Sequence, residues 1–192
     1  MSAEKILVAD DDLVILTTLC EVLTEAGYRV SSAHDGLQAL ALCKIERPDL
    51  ALLDIRMPGL DGIALAQSVC KEPGVPFLIL SAYDDEDFIK PAVEAGALGY
   101  LIKPLSLPIV LRTIRVALAR AKEISELRQR KQDLEAAIAS NRIIGTAIGM
   151  VMKESKLTQE EAFERLRRYA RGQRRKLEDV AQAIVADKER LE

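Results

Sequence analysis

Apolar runs of strand length alternate with segments of helical periodicity along residues 1 to about 105. Each run is too short for a helix and is bounded by glycine, proline or acidic residues that favour turns. Strands that alternate with helices in this way pair in parallel, with helices packed on both faces of the sheet. The pattern predicts an α/β fold built on a doubly wound five-stranded parallel sheet.

Polar side chains follow four of the predicted strands where each strand ends. A nearly continuous apolar run ends in Asp54, and Asp10 and Asp11 follow the first strand. Ser81 follows the fourth strand and Lys103 the fifth. Because the carboxyl ends of parallel strands share one edge of the sheet, we expect these side chains to lie close together.

Three carboxylates at one edge repel one another unless a divalent cation neutralises them. An all-oxygen site that retains water favours Mg²⁺, and Asp54 can then attack a phosphoryl group in line. The Lys103 ammonium and the Ser81 hydroxyl are suited to bind the transferred oxygens. Each residue also has a structural alternative, since Lys103 can simply pair with an acid and Ser81 can cap a helix.

A long helix is predicted from about Pro108 to about Asn141, because apolar residues recur there at steps of three and four. Its second half extends beyond the sheet, so its apolar stripe needs another partner. We expect a coiled coil in a homodimer, although Lys131 interrupts the stripe; the alternative is a solvated linker helix. The stripe comprises Ile114, Ala117, Ala121, Ile124, Leu127, Leu134 and Ile138.

Three short helices are predicted after this segment, at residues 143–153, 158–171 and 177–191. Thr158 and Glu161 have the spacing of a capping box, which places the start of the second helix. The expected division into a first domain, a linker helix and a final domain is 1–120, 121–141 and 142–192.

The sign of the charge changes along the chain, although the net charge is only -3. Residues 1–121 carry 11 basic and 17 acidic groups, whereas residues 142–192 carry 12 and 9. One basic segment contains no acid and surrounds Tyr169, which favours polyphosphate and therefore nucleic acid. The alternative is a solvated basic face. Its charged residues are Arg165, Arg167, Arg168, Arg171, Arg174, Arg175 and Lys176.

The cysteines and the hydropathy pattern indicate the cellular compartment and the kinds of site that the chain can hold. Cys20, Cys43 and Cys70 are odd in number and each lies among aliphatic residues, so we expect small buried hydrophobes rather than disulfides or a zinc site. No apolar run approaches the length of a membrane span, and we expect a cytoplasmic protein. His34 is the only histidine and lies beside a turn, which disfavours His-dependent catalysis.

Residues 1 to about 120 resemble the CheY-like receiver domain of two-component response regulators. The resemblance lies in Val8–Asp12, in Leu53–Gly62, in Leu80–Ala82 and in Tyr100–Pro104. It implies that Asp54 is the phosphoacceptor and that a sensor histidine kinase is the partner. It also implies that Asp10, Asp11, Asp54 and the Arg56 main-chain carbonyl hold Mg²⁺, and that Ser81 and Tyr100 form a switch pair while Lys103 binds the phosphoryl group.

The carboxyl-terminal part resembles the ANTAR domain, the RNA-binding antitermination module of AmiR and NasR-type regulators. The resemblance lies in Arg142–Ile144, Ala147–Met152, Glu161–Arg167 and Val180–Ile184, together with Ala170. One departure is Ile148, which stands where the family usually has lysine. With the resemblance, the candidate RNA contacts are Arg142, Arg165, Arg167, Arg168, Tyr169, Arg171, Arg174, Arg175 and Lys176.

Three functions remain open from the residues. The first is a phosphorylation-dependent regulator, not an enzyme, that binds RNA stem-loops and controls transcription termination. The second is a response regulator that binds DNA, which is disfavoured because no glycine-containing turn divides residues 158–171 as a helix-turn-helix requires. The third is a phosphatase with Asp10 as nucleophile and Asp12 as acid, a scheme that leaves Asp54 idle.

Overall fold

The computed structural model describes residues 3–69, 74–82 and 86–186. The chain forms two compact units, Met1–Ser125 and Glu126–Glu192. Its helices and strands are β1 (Lys5–Ala9), α1 (Leu13–Glu25), β2 (Arg29–Ala33), α2 (Gly36–Glu46), β3 (Leu50–Asp54), α3 (Gly62–Val69), β4 (Phe77–Ser81), α4 (Glu86–Glu94), β5 (Tyr100–Ile102), α5 (Leu107–Ser155), α6 (Gln159–Gly172) and α7 (Leu177–Val185).

The first unit contains the predicted five-stranded sheet, with strand order β2-β1-β3-β4-β5 and every pair parallel. The predicted fold class is confirmed. The chain order of the strands reverses between β1 and β3, which is where ligands bind in open α/β sheets. Asp54 ends β3 and Asp10 follows β1, so both acids lie at this switch point.

Both faces of the sheet are covered, and this explains why β3 is apolar at every position before Asp54. Ala51 and Leu53 belong to a hydrophobic cluster that α2, α3 and α4 complete. Leu50 and Leu52 point to the opposite face, where α1 and the beginning of α5 pack. A strand that is buried on both faces fixes the position of the carboxylate at its end.

Helix α5 differs from the sequence prediction, since it runs for 49 residues from Leu107 to Ser155 without a break. The predicted end near Asn141 and the predicted new start at Ile143 are therefore wrong. A glycine inside a helix costs only about 1 kcal/mol. Gly145 does not stop this helix because Ala147 and Val151, on the same helix, are buried in the core of the second unit.

The second unit has a core to which α5, α6 and α7 each contribute, with Ala147, Leu166 and Val180 buried at its centre. The predicted capping box is confirmed: the Glu161 backbone N–H donates to Thr158 Oγ1, and the Thr158 backbone N–H donates to Glu161 Oε2. Helix α7 is described as far as Val185, and the predicted continuation to Leu191 lies outside the described residues.

The cysteines follow the prediction where they are described. Cys43 is buried and Cys20 is half-buried, and both carry free thiols. Burial raises the pKa of the Cys20 thiol, and a hydrogen bond with Ser32 offsets part of that shift. Cys70 lies outside the described residues. Among the residues that are described, no helix combines the length and apolar character that crossing a bilayer demands.

Candidate functional site

Lys103 joins the two buried carboxylates at the switch point of the sheet. Its Nζ atom lies 2.7 Å from Asp10 Oδ2 and 2.9 Å from Asp54 Oδ1, where it donates a hydrogen bond. Asp10 is completely buried and Asp54 is 5% exposed, so little water screens these ion pairs. The side chains predicted from strands β1, β3 and β5 are thus brought together.

Lys103 is held in place from the backbone as well. Its N–H donates to the Ser81 carbonyl oxygen at 2.6 Å, and the following peptide bond to Pro104 is cis. Ser81 ends β4 and is buried, with 4% of its surface exposed. Tyr100 begins β5, is half-buried, and packs against the cluster that contains Ala51 and Leu53. The predicted switch pair therefore lies on neighbouring strands, and its role stays a prediction.

Three acids offer one oxygen each within 4.8 Å of one another: Asp10, Asp11 and Asp54. Asp11 is exposed, so this group opens to solvent on one side. Apart from the Lys103 contact, buried Asp10 Oδ2 has no hydrogen-bond partner among the described residues. An under-satisfied carboxylate oxygen beside two others fits a hard divalent cation, because Mg²⁺ prefers oxygen ligands and keeps several waters.

The pKa values follow from burial and from this crowding. Burial raises the pKa of Asp54, the hydrogen bond and charge of Lys103 lower it, and the neighbouring charges of Asp10 and Asp11 raise it further. For Lys103, burial alone would lower the pKa, but the hydrogen bonds and charges of Asp10 and Asp54 outweigh burial and raise it. Lys103 is therefore a firmly protonated cation.

The loop after β3 depends on two glycines that the sequence analysis did not single out. A Cβ atom on Gly62 would overlap the backbone carbonyl of Asp54, and one on Gly36 would overlap the carbonyl oxygen of Leu60. The Arg56 N–H donates to Asp54 Oδ2 at 3.2 Å, so the loop also orients the carboxylate. These glycines follow Asp61 and Asp35 directly, and the Asp-Gly pairs were the available sequence signal.

Asp12, to which the receiver resemblance gives no role, caps helix α1. Its Oδ1 atom accepts hydrogen bonds from the backbone N–H groups of Val14 at 2.8 Å and Ile15 at 3.4 Å. An aspartate directly before an apolar helix is a common N-cap, so the sequence carried this information. A side chain engaged in this way is a poor general acid, which counts against the phosphatase scheme.

The basic segment divides into tethered and untethered side chains. Arg165 donates to Ser155 Oγ at 3.0 Å, Arg167 pairs with Glu164 at 3.0 Å, and Arg175 donates to the Asp179 carbonyl oxygen. Among the described residues, four exposed basic side chains of this segment form no hydrogen bond or ion pair: Arg168, Arg171, Arg174 and Lys176. Arg142, on α5, is exposed and has no side-chain partner there either.

Tyr169 is half-buried against the core of the second unit, so only part of its ring is accessible for stacking. It borders an open cleft of about 620 Å³ together with Arg165 and Arg168. Glu160 and Glu164 line the same cleft, and their charges disfavour phosphate there. Predicted contacts therefore concentrate near the end of α6 rather than in the cleft.

Ile148 is 8% exposed and belongs to the core of the second unit. Ile148 is a packing residue at the position where the family usually has lysine. In this chain position 148 therefore belongs to the core and carries no charge.

A parallel sheet with acids at its switch point, and with a lysine that reaches them from the end of β5, two strands away from β3, is the architecture of a response-regulator receiver. Residues 6–115 match the family described as response regulator receiver domain, and residues 132–185 match the ANTAR domain. The ANTAR match begins inside the segment 121–141 that the sequence assigns to the linker helix, and the predicted division of the chain into three parts stays a prediction.

Known proteins resemble both parts of the chain. The transcriptional regulatory protein PdtaR of Mycobacterium tuberculosis is 31% identical over 182 residues, covering 94% of this chain and 89% of that protein. Sporulation initiation phosphotransferase F of Bacillus subtilis is 40% identical over 108 residues, covering 56% of this chain and 87% of that protein. A CheY-like receiver from Methanospirillum hungatei has a TM-score of 0.61 at 29% identity, covering 64% of this chain and 98% of that one.

The chain therefore belongs to the two-component response regulators that join a receiver domain to an ANTAR domain.

Proposed function

We propose that this protein accepts a phosphoryl group on Asp54 from a sensor histidine kinase and responds by binding RNA stem-loops that control transcription termination. The observation that carries the proposal is that Lys103 bridges Asp10 and Asp54. The second unit of the same chain presents arginines that have no internal partner among the described residues. The protein acts as a phospho-accepting regulator rather than as an enzyme with an external substrate. The chain's free thiols suit the reducing cytoplasm.

In the proposed transfer, an Asp54 carboxylate oxygen attacks phosphorus, the bond from phosphorus to the donor histidine nitrogen breaks, and an acyl phosphate forms on Asp54. Lys103 already lies 2.9 Å from Asp54 Oδ1, so it can follow the added negative charge. Ser81, on the neighbouring strand, supplies a hydroxyl and Tyr100 a mobile ring. Mg²⁺ held by Asp10, Asp11 and Asp54, with the Arg56 carbonyl as a further ligand, would neutralise the crowded oxygens.

The proposed output is RNA binding through the ANTAR unit. Support comes from the untethered basic side chains near the end of α6, since phosphate contacts need cations that no internal acid neutralises. The relative PdtaR is named a transcriptional regulatory protein, which agrees with an effect on transcription. We further propose a homodimer through α5, because Leu127 and Leu134 are exposed on that helix.

The phosphoacceptor is tested by Asp54→Asn. An amide oxygen is a poor nucleophile, so we expect labelling by a small phosphodonor in Mg²⁺ to fall to background, measured as mass addition to the intact chain. Asp12→Asn, which alters a helix cap, is the matched control and should still be labelled. Stable labelling of Asp54→Asn at another aspartate would remove Asp54 from its role.

The output is tested by competition between an RNA hairpin and duplex DNA of equal length. A short connection, residues 173–176, joins α6 to α7, and DNA-binding helix pairs are also joined by short turns. The arrangement of these helices therefore does not separate an RNA binder from a DNA binder. We expect the phosphodonor-treated chain to prefer RNA, since splayed loop bases expose edges that a duplex hides. A preference for duplex DNA would support the second function, and binding to neither would overturn the proposed output.

A further inference from the structure

Residues 55–61 connect β3 to α3 and form a loop that is closed on itself. The Gly62 N–H donates to the Ile55 carbonyl oxygen at 3.0 Å, which joins the two ends of the loop. Farther out, the Leu60 N–H donates to the Pro58 carbonyl oxygen at 3.0 Å. These bonds leave the loop little freedom to deform at one place only. A displacement of Leu60 therefore shifts the other residues of the loop as well.

Helix α2 begins against this loop with almost no space between them. Gly36 is the first residue of the helix and is buried. A Cβ atom on Gly36 would overlap the Leu60 carbonyl oxygen and would lie 2.8 Å from the Leu60 carbonyl carbon. One residue further on, Leu37 Cδ1 lies 3.7 Å from the place where a Cβ atom of Gly59 would stand. The first turn of α2 thus contacts the loop at two points.

The helix itself does not require glycine at position 36. The φ angle of Gly36 lies outside the left-handed region, so any residue could adopt it. Asp35 already caps the helix, since its Oδ1 atom accepts a hydrogen bond from the Gln38 N–H at 2.7 Å. Alanine favours helix more than glycine does. The requirement for glycine therefore comes from the close approach of the Leu60 carbonyl.

The loop carries backbone groups that belong to the phosphorylation site. The Arg56 N–H donates to Asp54 Oδ2 at 3.2 Å, and the Arg56 carbonyl is a Mg²⁺ ligand in the proposed function. Asp11, Arg56 and Met57 line one open cavity of about 720 Å³, so the loop borders the acidic group. Asp54 is fixed by a strand that is buried on both faces, whereas Arg56 lies beyond the end of that strand. The position of the Arg56 peptide therefore depends on what the loop rests against.

We propose that Gly36 is a positioning residue of the phosphorylation site. The close approach that it permits lets α2 hold the loop in the position from which the Arg56 carbonyl binds Mg²⁺. This rests on the proposed function, in which Arg56 is a ligand, and adds a residue that acts on the site through Leu60. Because Mg²⁺ demands near-ideal octahedral geometry with oxygen ligands at about 2.1 Å, a small shift of the loop weakens its binding.

Gly36→Ala in the full chain tests the proposal directly. We expect the Mg²⁺ affinity, measured by isothermal titration calorimetry, to fall about tenfold, as is usual when a residue that orients a metal ligand is changed. Labelling by a small phosphodonor should need about tenfold more Mg²⁺ to reach half its maximal rate. The maximal rate should change little, because the sheet holds Asp54 and Lys103 in place. An unchanged Mg²⁺ affinity would overturn the proposal.

Ala39→Gly is the matched control on the same helix. Ala39 is completely buried, and its replacement by glycine weakens α2 without adding an atom near Leu60. We expect its Mg²⁺ affinity and its Mg²⁺ requirement for labelling to equal those of the unchanged chain. An equal loss of affinity in Ala39→Gly would show that the stability of α2, and not the close approach at Gly36, controls the site.

Leu37→Ala keeps the proposal testable if Gly36→Ala does not fold. Leu37 is 63% exposed, so its truncation removes little buried surface. It does remove the side chain that lies over Gly59, and we expect Mg²⁺ to bind about threefold more weakly. Should Gly36→Ala fail to fold, an unchanged Mg²⁺ affinity in Leu37→Ala would overturn the proposal in its place.

Failure of this inference can be told from failure of the proposed function. If the unchanged chain is not labelled at saturating Mg²⁺, the phosphoacceptor proposal fails, while calorimetry still tests the effect of Gly36→Ala on Mg²⁺ binding. If the unchanged chain binds no Mg²⁺, the cation site and this inference fail together. If labelling depends on Mg²⁺ equally in the unchanged chain and in Gly36→Ala, only this inference fails.

Discussion

Lys103 is the residue on which the electrostatics of the receiver site depend. Asp10 is completely buried, and its Oδ2 atom relies on the Lys103 ammonium at 2.7 Å. The sequence placed Lys103 among the phosphoryl-binding residues, with pairing to an acid as the alternative. The structure shows that the same side chain also neutralises a buried acid, so the two roles have to be measured together.

We expect Lys103→Ala to destabilise the receiver unit by about 3 kcal/mol in EDTA, because it leaves a buried carboxylate unpaired. The loss should be smaller in Mg²⁺, since a cation between the carboxylates replaces the missing charge. Urea unfolding of the full chain in the two buffers measures both values. Lys5→Ala, which removes an exposed lysine bound to a backbone carbonyl, is the control. Equal losses in both buffers would contradict the cation site.

Arg174 follows the end of helix α6, after the C-cap Gln173, and lies in the left-handed region with φ of 53°. Its N–H donates to the Arg171 carbonyl oxygen, and the next N–H donates to that of Ala170, a closure in which glycine is usual. An arginine here holds a conformation that costs roughly 1 kcal/mol. Its side chain forms no hydrogen bond or ion pair within the described residues, so it is available for a contact outside the unit.

Arg174→Gly should therefore leave stability unchanged or higher and weaken RNA binding. The reason is that glycine suits the backbone but removes an untethered cation. Binding titrations and urea unfolding give the two readouts. Lys156→Gly is the matched control, because Lys156 is another exposed basic residue of the same unit with positive φ, 54°. An equal loss of affinity in both variants would show that position 174 has no special contact.

At the scale of elements, local chemistry was enough to predict most starts and ends. The run before Asp54 identified β3, and Thr158 with Glu161 identified the start of α6. The predicted break near Asn141 was wrong because whether a helix crosses Gly145 depends on tertiary burial of Ala147 beyond it. Sequence spacing does not report that burial, so a weak local preference against helix was overruled.

The capping box offers a test at this scale. Thr158→Ala should lower the stability of the second unit by about 1 kcal/mol, because the Glu161 N–H loses its acceptor. Thr146→Ala, in the middle of α5, is the control, since the Thr146 hydroxyl only donates to a carbonyl already bonded in the helix. Urea unfolding followed by circular dichroism gives both values. A larger loss from Thr146→Ala would contradict the cap.

The same cap makes stability depend on pH. The Thr158 N–H, and next its hydroxyl, lower the pKa of Glu161 in the folded chain. A carboxylate with a lowered folded-state pKa stabilises the fold above its unfolded pKa, and that contribution disappears as the pH falls through the folded-state value. The stability difference between the unchanged chain and Glu161→Ala should therefore shrink on acidification. A difference that grows as the pH falls would show that the sign is wrong.

At the scale of the whole molecule, charge distribution indicated which part contacts nucleic acid but not which residues do so. Seven basic residues between Arg165 and Lys176 look equivalent in the sequence. The structure ties Arg167 to Glu164 and leaves Arg171 without an internal partner among the described residues. Ion pairs between side chains depend on rotamers and on neighbouring helices, so the spacing of residues in the sequence could not predict which basic residues are paired. The receiver site was easier to predict, because strand topology alone brings Asp10 and Asp54 together.

Salt dependence measures how many of these cations meet phosphate. Each neutralised phosphate of a single-stranded region changes the logarithmic salt slope of binding by roughly 0.7. Replacing Arg171 and Lys176 together by alanine should make the slope shallower by about one to one and a half units. Alanine favours helix, so α6 should persist, as circular dichroism can verify.

Arg167→Ala supplies the comparison for that slope. Arg167 already pairs with Glu164 at 3.0 Å, so removal of the Arg167 side chain should change the slope less than Arg171→Ala does. Equal changes would mean that Arg167 leaves Glu164 when RNA binds and that the ion pair does not select the contacts. An unchanged slope in the double variant would leave the basic segment as a solvated face, and the RNA contacts would then have to lie elsewhere on the second unit.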